Sequence, residues 1–500
     1  MASSDAGSAP RNAHPPAGTV FGAEDLLVAE SLPRAWTRWF TETPERQAVV
    51  ESDGKRALTY RELDEESRAF AGLLAAAGLK AGDRFLLSAA ASLRMVVAYV
   101  AAQRLGLVVV PVNTALTRSE VEYIIDDVQP VAAFVDNPER AAWMHRVTFV
   151  CGPETPLTGD APPALDQATR DDLALIVYTS GTTGAPKGAM LSSGNLLAGA
   201  EALRIAWRWG SEDRLILVLP LFHLHGLGAG LNGTLVAGAS VILQPKFGVD
   251  SVLDAIAAHG ATLFFGVPTM YVRLAASPRA AELANLRLAV SGSAPLSADL
   301  HATLAGLTGK RIIERYGMTE TLIIASNPYE GERRAGSVGL ALPGVELRRD
   351  DAGELLVRGP SVFRGYWNRP EATAESFVDD GWLRTGDLGE FDQDGYLRIV
   401  GRSKDLIITG GYNVYPQEVE DVLRRHPRID DVAVAGLASE EWGETVVAWI
   451  VPRGELDPEE VIAFASRHLA GYKRPRLIKV VAELPRNSLG KVLKRELPAP

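Results

Sequence analysis

Residues 178–188 form a glycine- and hydroxyl-rich segment with the groups that bind a polyphosphate. The segment reads Tyr-Thr-Ser-Gly-Thr-Thr-Gly-Ala-Pro-Lys-Gly and follows the apolar run 173–177, which predicts a buried strand ending in a loop. Its glycines would leave backbone N–H groups accessible to phosphate oxygens, and Lys187 adds a positive charge. The hydroxyl-bearing residues are Thr179, Ser180, Thr182 and Thr183, and the glycines inside the loop are Gly181 and Gly184. Pro186 stands where the Walker pattern has its second glycine, so we expect a phosphate loop of another type rather than an ordinary surface turn.

The segment 314–320, Glu-Arg-Tyr-Gly-Met-Thr-Glu, places a carboxylate beside a hydroxyl group on a tight glycine turn. Such a pair can hold Mg²⁺ and a phosphate oxygen together, and Tyr316 offers a ring face on which a purine could stack. A glycine turn flanked by charges is commonplace, so this segment predicts a site only in combination with others.

Three further polar residues lie in the last quarter of the chain. Asp387, in Thr-Gly-Asp, would follow a strand end, where a carboxylate can accept both vicinal hydroxyl groups of a ribose. Aspartate is also a common turn residue, so the motif alone is weak. Arg402 begins the segment Arg-Ser-Lys-Asp, and Lys491 lies nine residues before the last residue of the sequence. Taken singly, that lysine is most simply a solvated tail residue.

Length and composition restrict the class of protein. Five hundred residues are enough for two or three domains, and 47% hydrophobic with 23% charged residues is typical of a globular protein. The net charge of −11, without a long basic run, argues against a general nucleic-acid binder. The single cysteine, Cys151, excludes an internal disulfide framework, fits a reducing compartment and predicts a buried thiol. No apolar run reaches the roughly 18 residues of a membrane span, so we expect a cytoplasmic protein with a disordered tail at 1–22.

The elements that must position these residues alternate between helix and strand along most of the chain. Helical spacing covers residues 63–77 and 95–105, and short apolar runs at 84–88 and 107–112 predict strands. Such alternation predicts an α/β fold in which helices cover parallel sheets.

The composition changes near residue 400, where a turn-rich stretch gives way to about one hundred residues with helical patterns at 417–425 and 458–469. This length is typical of a small separate domain. We therefore expect a large N-terminal domain over residues 23–401 and a small α+β domain over 402–500, with a hinge near 402–405.

Together these motifs resemble the adenylate-forming superfamily of acyl-CoA synthetases, peptide-synthetase adenylation domains and luciferases. Five motifs stand in the family order, at 178–188, 314–320, 385–387, 401–402 and 490–491. The resemblance extends from Leu58 to Lys494, although residues 130–170 show no family pattern. It implies a large N-terminal domain of helix-covered β-sheets and a small mobile C-terminal α+β domain. It also implies that ATP activates a carboxylic acid as an acyl-adenylate, which then passes its acyl group to coenzyme A.

The resemblance implies a role for each matching residue. Phosphate-binding roles fall on Thr179, Ser180, Gly181, Thr182, Thr183, Gly184 and Lys187. Other nucleotide-binding roles fall on Ser293, Ala294, Pro295, Glu314, Arg315, Tyr316, Gly317, Met318, Thr319, Asp387 and Arg402. Glu320 with Thr182 would hold Mg²⁺, and Lys491 would bridge the substrate carboxylate and the α-phosphate. Lys404 would be the hinge about which the small domain rotates, so that the segment with Gly411 replaces Lys491 and lines the path of coenzyme A.

The resemblance also indicates which carboxylic acid the protein would activate. The segment Pro-Leu-Phe-His-Leu-His-Gly looks like the family gate of the acyl pocket, with His223 as the gate and His225 as an unusual second histidine. Residues 265–273 look like a helix lining that pocket. With the segments downstream they resemble malonyl-CoA and methylmalonyl-CoA synthetases, which implies that Arg273 and Ser293, with His225 nearby, bind a distal carboxylate. The alternative is that Arg273 points to solvent, since arginine is usually exposed.

Other functions share parts of this pattern. A synthetase for short- or medium-chain monocarboxylic acids and an enzyme that loads a carrier protein would carry the same motifs. Residues 228–233 match a dinucleotide fingerprint, but no strand runs into the first glycine, so helix packing explains these glycines better than an NAD site. An idle ATP-binding regulator is disfavoured because Lys491 and Glu320 are both in place.

Overall fold

The computed structural model describes residues 24–157, 164–179, 186–409, 412–439, 442–487 and 490–499. The expected tail at 1–22 lies outside these residues. So do five residues of the predicted phosphate loop and the glycine expected beside coenzyme A, namely Ser180, Gly181, Thr182, Thr183, Gly184 and Gly411.

A nine-stranded sheet is the largest element of the fold. Its strands, in the order in which they lie across the sheet, are β15 (Leu340–Ala341), β14 (Leu322–Ser326), β13 (Ile313–Met318), β12 (Leu288–Ser291), β11 (Leu263–Gly266), β9 (Arg214–Leu217), β10 (Ser240–Leu243), β1 (Gln47–Glu51) and β2 (Ala57–Thr59). The strands from β13 to β1 run parallel, and the outer strands β15, β14 and β2 pair antiparallel. The carboxyl ends of the parallel strands therefore share one edge.

A seven-stranded sheet lies in the same part of the chain. Its strands in spatial order are β18 (Gly365–Tyr366), β8 (Lys187–Ser192), β7 (Leu173–Thr179), β4 (Val108–Pro111), β3 (Arg84–Ser88), β5 (Ala132–Val135) and β6 (Phe149–Cys151). This confirms the strands predicted at 84–88, 107–112 and 173–177. The strands β7 and β8 pair antiparallel and carry the phosphate-loop segment between them.

Helices cover both faces of these sheets. Between the sheets, and sharing one apolar core with both, are α1 (Leu32–Glu42), α2 (Tyr60–Ala76), α3 (Leu93–Arg104), a π-helix (His225–Asn232), α6 (Ser193–Ala206) and α7 (Gly233–Ala237). The other face of the nine-stranded sheet packs against α8 (Val249–His259), α9 (Pro268–Ala275) and α10 (Ala298–Thr308). The other face of the seven-stranded sheet packs against α4 (Arg118–Val128) and α5 (Pro138–Ala141). Successive residues of β9 alternate between the two cores, as a strand buried on both faces must.

Two smaller sheets follow. The third contains β16 (Glu346–Arg349), β17 (Glu354–Arg358), β20 (Trp382–Phe391), β19 (Phe377–Val378) and β21 (Leu397–Arg402), with α11 (Pro370–Ser376) beside it. The fourth contains β23 (Tyr412–Val414), β22 (Ile407–Thr409), β25 (Gly443–Pro452), β24 (Ile429–Ser439) and β26 (Leu477–Val480), and α12 (Pro416–Leu423) and α13 (Pro458–His468) share its apolar core. The fold is thus a large N-terminal α/β domain of helix-covered sheets followed by a smaller C-terminal domain, as expected.

The helix boundaries differ slightly from the predicted ones, for local reasons. The helix predicted at 63–77 begins at Tyr60, because Thr59 and Glu62 form a capping box. Its predicted end is confirmed, since Gly78 follows with a φ of +89°. In the small domain, the helices predicted at 417–425 and 458–469 lie within two residues of the observed bounds.

Glycines 228, 230 and 233 serve helix packing, as expected. The segment falls on the π-helix and the start of α7 rather than after a strand. A Cβ at Gly230 would lie 2.7 Å from Leu217, and one at Gly233 would lie 2.7 Å from the Trp209 ring. Cys151 is buried, and burial raises the pKa of its thiol to about 12. None of the described helices combines the length and apolar character needed to cross a membrane.

Candidate active site

The candidate site lies beyond the carboxyl ends of β11, β12 and β13, where open α/β sheets bind ligands. The strand β12 leads into the turn with Ser293, and β13 carries Arg315 and Tyr316 and turns at Gly317. A Cβ at Gly317 would lie 1.9 Å from the carbonyl oxygen of Leu322, so this close turn requires glycine.

Three residues predicted to bind the nucleotide form one connected cluster around Asp387. This buried carboxylate accepts the Tyr316 hydroxyl at 2.5 Å and pairs with Nε of Arg402 at 2.9 Å. Asp387 and Arg402 are cross-strand partners in β20 and β21, so the sheet register sets their ion pair. Desolvation, and secondly the charge of Asp387, hold the pKa of Tyr316 far above its usual range, so its hydroxyl stays a donor. Ribose hydroxyls would share or replace these bonds.

The phosphate end of the site is framed by Thr179 and Lys187, which are cross-strand partners at the ends of β7 and β8. The ammonium of Lys187 lies 5.3 Å from the centre of the Tyr366 ring, and the Tyr366 hydroxyl donates to Glu320 at 2.8 Å. The predicted phosphate lysine and the predicted magnesium ligand therefore flank one tyrosine. Burial raises the pKa of Glu320, so a cation beside this carboxylate would be stabilising.

Hydrogen bonds join both ends of the predicted phosphate loop to α4, and no sequence pattern indicated them. Tyr178 donates to Asp127 at 2.5 Å, and Tyr123 donates to the carbonyl oxygen of Pro186 at 3.1 Å. Arg369 joins the two, 3.3 Å from the Asp127 carboxylate and 3.2 Å from the Tyr123 hydroxyl. The partners are 51 and 63 residues apart in sequence, so no local spacing could have revealed them.

Lys491 reaches the site from the small domain and is not a free tail residue. It follows Gly490, where a Cβ would lie 3.3 Å from the Thr269 side chain at the start of α9. Lys491 keeps an exposed surface, but protein atoms crowd its other sides. This desolvation, and secondly the charge of Arg402, lower the pKa of Lys491 to about 8. The lysine therefore lies in the same neighbourhood as Arg402 and Asp387.

A second cluster, which we call the Arg315 cluster, consists of Arg315, His225 and Ser293. Arg315 is 6% exposed, and its Nε and Nη2 have no hydrogen-bond partner among the described residues. Nδ1 of His225 lies 3.3 Å from the Ser293 hydroxyl, whereas its buried Nε2 has no partner in the described part of the chain. Burial, and then the charge of Arg315, hold the pKa of His225 far below its usual range, so the imidazole is neutral at pH 7. The cluster can therefore offer several donors to an anion.

Backbone geometry maintains the Arg315 cluster. A Cβ at Gly292 would lie 2.3 Å from Nε of Arg315, so the guanidinium fits only against glycine. Ser293, the next residue, has a φ of +70°, in the left-handed region that favours glycine. A serine in this conformation is strained by about 1–3 kcal/mol, which points to a use for its hydroxyl group.

Aromatic rings pack on the His225 side of the Arg315 cluster. The His225 ring is stacked on Phe265 with 6.3 Å between centroids, and Trp207 and Trp209 meet Phe265 edge-on at 5.2 and 5.3 Å. Burial lowers the pKa of Arg315 to about 9. A guanidinium in such surroundings is poorly solvated and gains strongly from an anionic partner.

The predicted gate residue, His223, lies beside this cluster. Its ring is 4.6 Å from the Phe222 ring. Burial lowers the pKa of His223 to about 4, so it is neutral at physiological pH.

Arg273, predicted to bind the distal carboxylate, does not belong to the Arg315 cluster. It is exposed on α9, with its guanidinium carbon 4.9 Å from the centre of the Phe247 ring. The helical period explains this, because Tyr271 and Leu274 are fully buried on the same helix and turn Arg273 outward. Arg273 therefore makes no contact with Ser293 or His225 among the described residues, and its role in binding a distal carboxylate stays a prediction.

Strand alternation separates Arg315 from the nucleotide residues beside it. Arg315 shares a face of β13 with the buried Ile313, whereas Glu314 and Tyr316 point to the other face. The family resemblance grouped Arg315 with the nucleotide, and the alternation turns its side chain to the face opposite Tyr316; its role in nucleotide binding stays a prediction. Glu314 accepts the Leu296 N–H at 2.9 Å and so supports the turn at 293–295, and burial raises its pKa to about 8.

This chain belongs to the AMP-binding enzyme family. It matches that family over residues 36–367 and the AMP-binding enzyme C-terminal domain over residues 418–491. With the two-domain α/β fold, this identifies an acid–thiol ligase of the AMP-forming acyl-CoA ligase class, as the motifs had predicted.

Several characterised ligases are similar to the chain over nearly its whole length. A feruloyl-CoA synthase of an Amycolatopsis species is 37% identical over 472 residues, covering 90% of this chain and 95% of that protein. The crystal structure of ATP-bound MatB from Rhodopseudomonas palustris is 40% identical with a TM-score of 0.88, covering 93% of this chain and 98% of that one. A malonyl-CoA ligase in a ternary product complex with methylmalonyl-CoA and AMP is 40% identical with a TM-score of 0.68, covering 90% of this chain and 99% of that one. Because ligases of different acids reach similar identity, the acid must be argued from the site.

Proposed function

We propose that this protein joins malonate, methylmalonate or a close analogue to coenzyme A. The acid would react with ATP to give an acyl-adenylate and pyrophosphate, and the thiol would then displace AMP. The observation that carries the choice of acid is the buried guanidinium of Arg315, with two nitrogens unpaired among the described residues. The similarity to a malonyl-CoA ligase that binds methylmalonyl-CoA supports this choice.

Among the described residues, the other two buried arginines pair most of their guanidinium nitrogens, although Nε of Arg140 is unpartnered. Arg104 is 1% exposed and binds Asp64 at 2.7 Å and Asp166 at 3.1 Å. The guanidinium of Arg140 donates to three carbonyl oxygens and to a serine hydroxyl. An unpaired buried charge costs several kcal/mol. Arg315 is therefore best explained as half of an ion pair that a ligand completes.

The Arg315 cluster suits the second carboxylate of a short dicarboxylic acid. A guanidinium can bind a carboxylate through two parallel hydrogen bonds, and Ser293 and the neutral His225 add donors. A fatty acid would instead bring a methyl group against the unpaired charge, which disfavours such substrates. The same donors would accept a sulfonate, so an acid with that distal group is the nearest alternative.

The nucleotide would lie between Tyr316 and the phosphate loop. Asp387 would hold the ribose, Thr179 and Lys187 would contact the phosphates, and the loop residues outside the described part, Ser180, Gly181, Thr182, Thr183 and Gly184, would add hydroxyl and N–H donors. Lys491 would bring its cation to the α-phosphate and the reacting carboxylate. That carboxylate is already ionised, so no general base is needed. The cation stabilises the negative charge that develops as the oxygen attacks phosphorus.

The residues present fit Mg²⁺. Among the described residues, no group of three or more His, Cys, Asp or Glu side chains could hold a metal ion by itself. Mg²⁺ is, however, commonly bound by one or two carboxylates together with substrate phosphates and water. Glu320, buried and oriented by Tyr366, provides such a carboxylate, and Thr182 would add a hydroxyl group. When bound, the ion would neutralise phosphate charge and favour the departure of pyrophosphate.

Transfer to coenzyme A would follow a rotation of the small domain, 402–500, against residues 23–401. The third sheet ends at Arg402 and the fourth begins at Ile407, and Lys404 lies exposed between them. The structure is more similar to the ATP-bound relative than to the product complex, at equal sequence identity, which supports two arrangements of the domains. In the rotated arrangement, the segment with Gly411 would replace Lys491.

A pyrophosphate-release assay over matched acids tests the proposed substrate. With ATP, Mg²⁺ and coenzyme A, we expect the highest kcat/KM for malonate or methylmalonate, with AMP and pyrophosphate formed in equal amounts. Sulfoacetate, propionate, octanoate and ferulate are the comparison acids. A preference for propionate or octanoate would refute the proposed dicarboxylate substrate. The assignment to the acyl-CoA ligase class would still stand. Turnover only on a carrier-protein thiol would show that coenzyme A is not the acceptor.

The pKa of Lys491 predicts a pH dependence. The lysine acts as a cation, so kcat/KM for adenylate formation, which reports the free enzyme, should fall as pH rises through about 8. Bound phosphate and carboxylate groups would raise this pKa, so kcat should stay constant to higher pH. Lys491→Arg should remove the fall in kcat/KM, because a guanidinium stays protonated. Identical pH profiles for the two proteins would contradict the assignment.

A further inference from the structure

We propose that Arg486 and Asp431 position Lys491 for adenylate formation. Lys491 lies in a segment that we call the hairpin, described at 485–487 and 490–493, whose two parts are joined by an antiparallel bridge between Arg486 and Val492. Asn487 exchanges two bonds with Lys491, since its N–H donates to the Lys491 carbonyl oxygen and its Oδ1 accepts the Lys491 N–H, both at 2.9 Å. These bonds set the shape of the hairpin but do not tie it to the rest of the small domain.

The guanidinium of Arg486 adds a polar tie to β24, beside the packing of Val492 against an apolar cluster of the small domain. One arm donates to the carbonyl oxygen of Gly490 and the other to the carboxylate of Asp431. Asp431 lies on β24, where it pairs with Val451 of β25, so it is fixed by the sheet. Gly490 directly precedes Lys491. A planar fork with two arms can thus hold the peptide before the lysine at a set position relative to the sheet.

Loss of Arg486 should affect the position of Lys491 more than it affects the attachment of the hairpin to the small domain. On the other side of the lysine, Lys494 donates to the Val434 carbonyl oxygen at 2.7 Å and pairs with Glu420 at 3.0 Å. The side chains of Arg486 and Asp431 are 33% and 27% exposed, and ion pairs so near the surface contribute little to stability. Loss of the guanidinium that joins Asp431 to the Gly490 carbonyl oxygen should therefore loosen the peptide at Gly490 while the small domain stays folded.

This inference rests on the proposed use of Lys491 in adenylate formation. It predicts that the Arg486–Asp431 ion pair matters for one half-reaction only. Transfer of the acyl group to coenzyme A does not use Lys491 in the proposed mechanism. Arg486 and Asp431 would touch neither substrate in either step. They are positioning residues, and their loss should slow the first half-reaction only.

The test compares the two half-reactions in Arg486→Ala. Pyrophosphate release from ATP and malonate measures the first, and transfer from a supplied malonyl-adenylate to coenzyme A measures the second. We expect about a tenfold lower kcat for the first, which is about 1.4 kcal/mol, an unchanged KM for ATP, and transfer within about twofold of wild type. Arg486→Lys keeps the charge near Asp431 but lacks the second arm. Its kcat for the first half-reaction should lie between the values for wild type and Arg486→Ala.

Arg453→Ala is the matched control. It breaks the ion pair of Arg453 with Asp430 (3.0 Å), the residue next to Asp431, without touching the hairpin, and should change neither half-reaction. Equal slowing of both half-reactions by Arg486→Ala, or no slowing of the first, would overturn the inference. Lys491→Ala is measured beside it. If that variant fails to separate the half-reactions, the proposed role of Lys491 is itself wrong, and the positioning role falls with it.

Discussion

Replacing Lys491 by alanine is expected to slow adenylate formation by about 10²–10³-fold and to leave transfer from a supplied acyl-adenylate near the wild-type rate. Removing one preorganised donor from a developing charge has an effect of this size. Lys491 lies near Arg402 and Asp387 in the structure, so its cation is available where the α-phosphate would lie. Single-turnover pyrophosphate release and thioester formation, each measured separately, check both halves of the expectation.

Two further substitutions separate the charge of Lys491 from its shape. Lys491→Met keeps the length of the side chain without the cation and should resemble the alanine variant. Lys491→Arg keeps the cation and should retain part of the adenylation rate. If methionine and arginine perform alike, charge is not what the lysine contributes. If both half-reactions slow equally in the alanine variant, the two-arrangement proposal fails as well.

Arg315→Met should lower kcat/KM for malonate by at least about 100-fold, or about 2.7 kcal/mol, as expected when a buried charge pair loses one partner. It should harm propionate much less, because that acid has no distal charge and its methyl group is better accommodated beside methionine. Residues such as Glu320 and Lys491 serve every acid, so their loss should not change this ranking. Steady-state kinetics on malonate, methylmalonate, propionate and octanoate provide the measurement.

Arg273→Met is the matched control, since it makes the same change at the exposed arginine of α9. Its kcat/KM for malonate should stay within about twofold of wild type, because an exposed charge is well solvated with or without substrate. A large loss in Arg273→Met, together with equal losses on all acids in Arg315→Met, would return the distal-carboxylate role to Arg273.

Two neighbouring substitutions test the geometry of the Arg315 cluster without removing its charge. Gly292→Ala would push its Cβ against the guanidinium and should therefore lower the malonate preference. Ser293→Gly should relieve the strained φ, so the free energy of unfolding should not fall, while kcat/KM for malonate should. If Ser293→Gly leaves malonate kinetics unchanged, its hydroxyl group does not bind the distal carboxylate.

The residues proposed for the nucleotide site could be selected from the sequence because their motifs are local. Phosphate recognition uses consecutive N–H and hydroxyl groups of one loop, so the segment 178–188 carries its chemistry in its spacing. Thr179, Lys187 and Arg402 lie at strand ends, whereas Tyr316 lies within β13 and Asp387, which was expected after a strand end, lies within β20. The tyrosines that anchor the loop to α4 were not predictable, because a hydrogen bond between distant segments leaves no spacing to recognise.

The sequence by itself determined the class of chemistry, the order of the motifs and the two-domain α/β architecture, because each depends on residues close together in the chain. Only the tertiary structure decided which of two arginines is buried. Arg273 and Arg315 are equally charged, and neither stands in a sequence pattern that reveals its burial. The turn of α9 exposes Arg273, whereas β13 buries Arg315 against Gly292, beside His225 and Ser293, which are 68 residues apart in sequence. Burial of a charge is a property of packing between distant segments, and it is burial that makes the guanidinium depend on an anionic ligand.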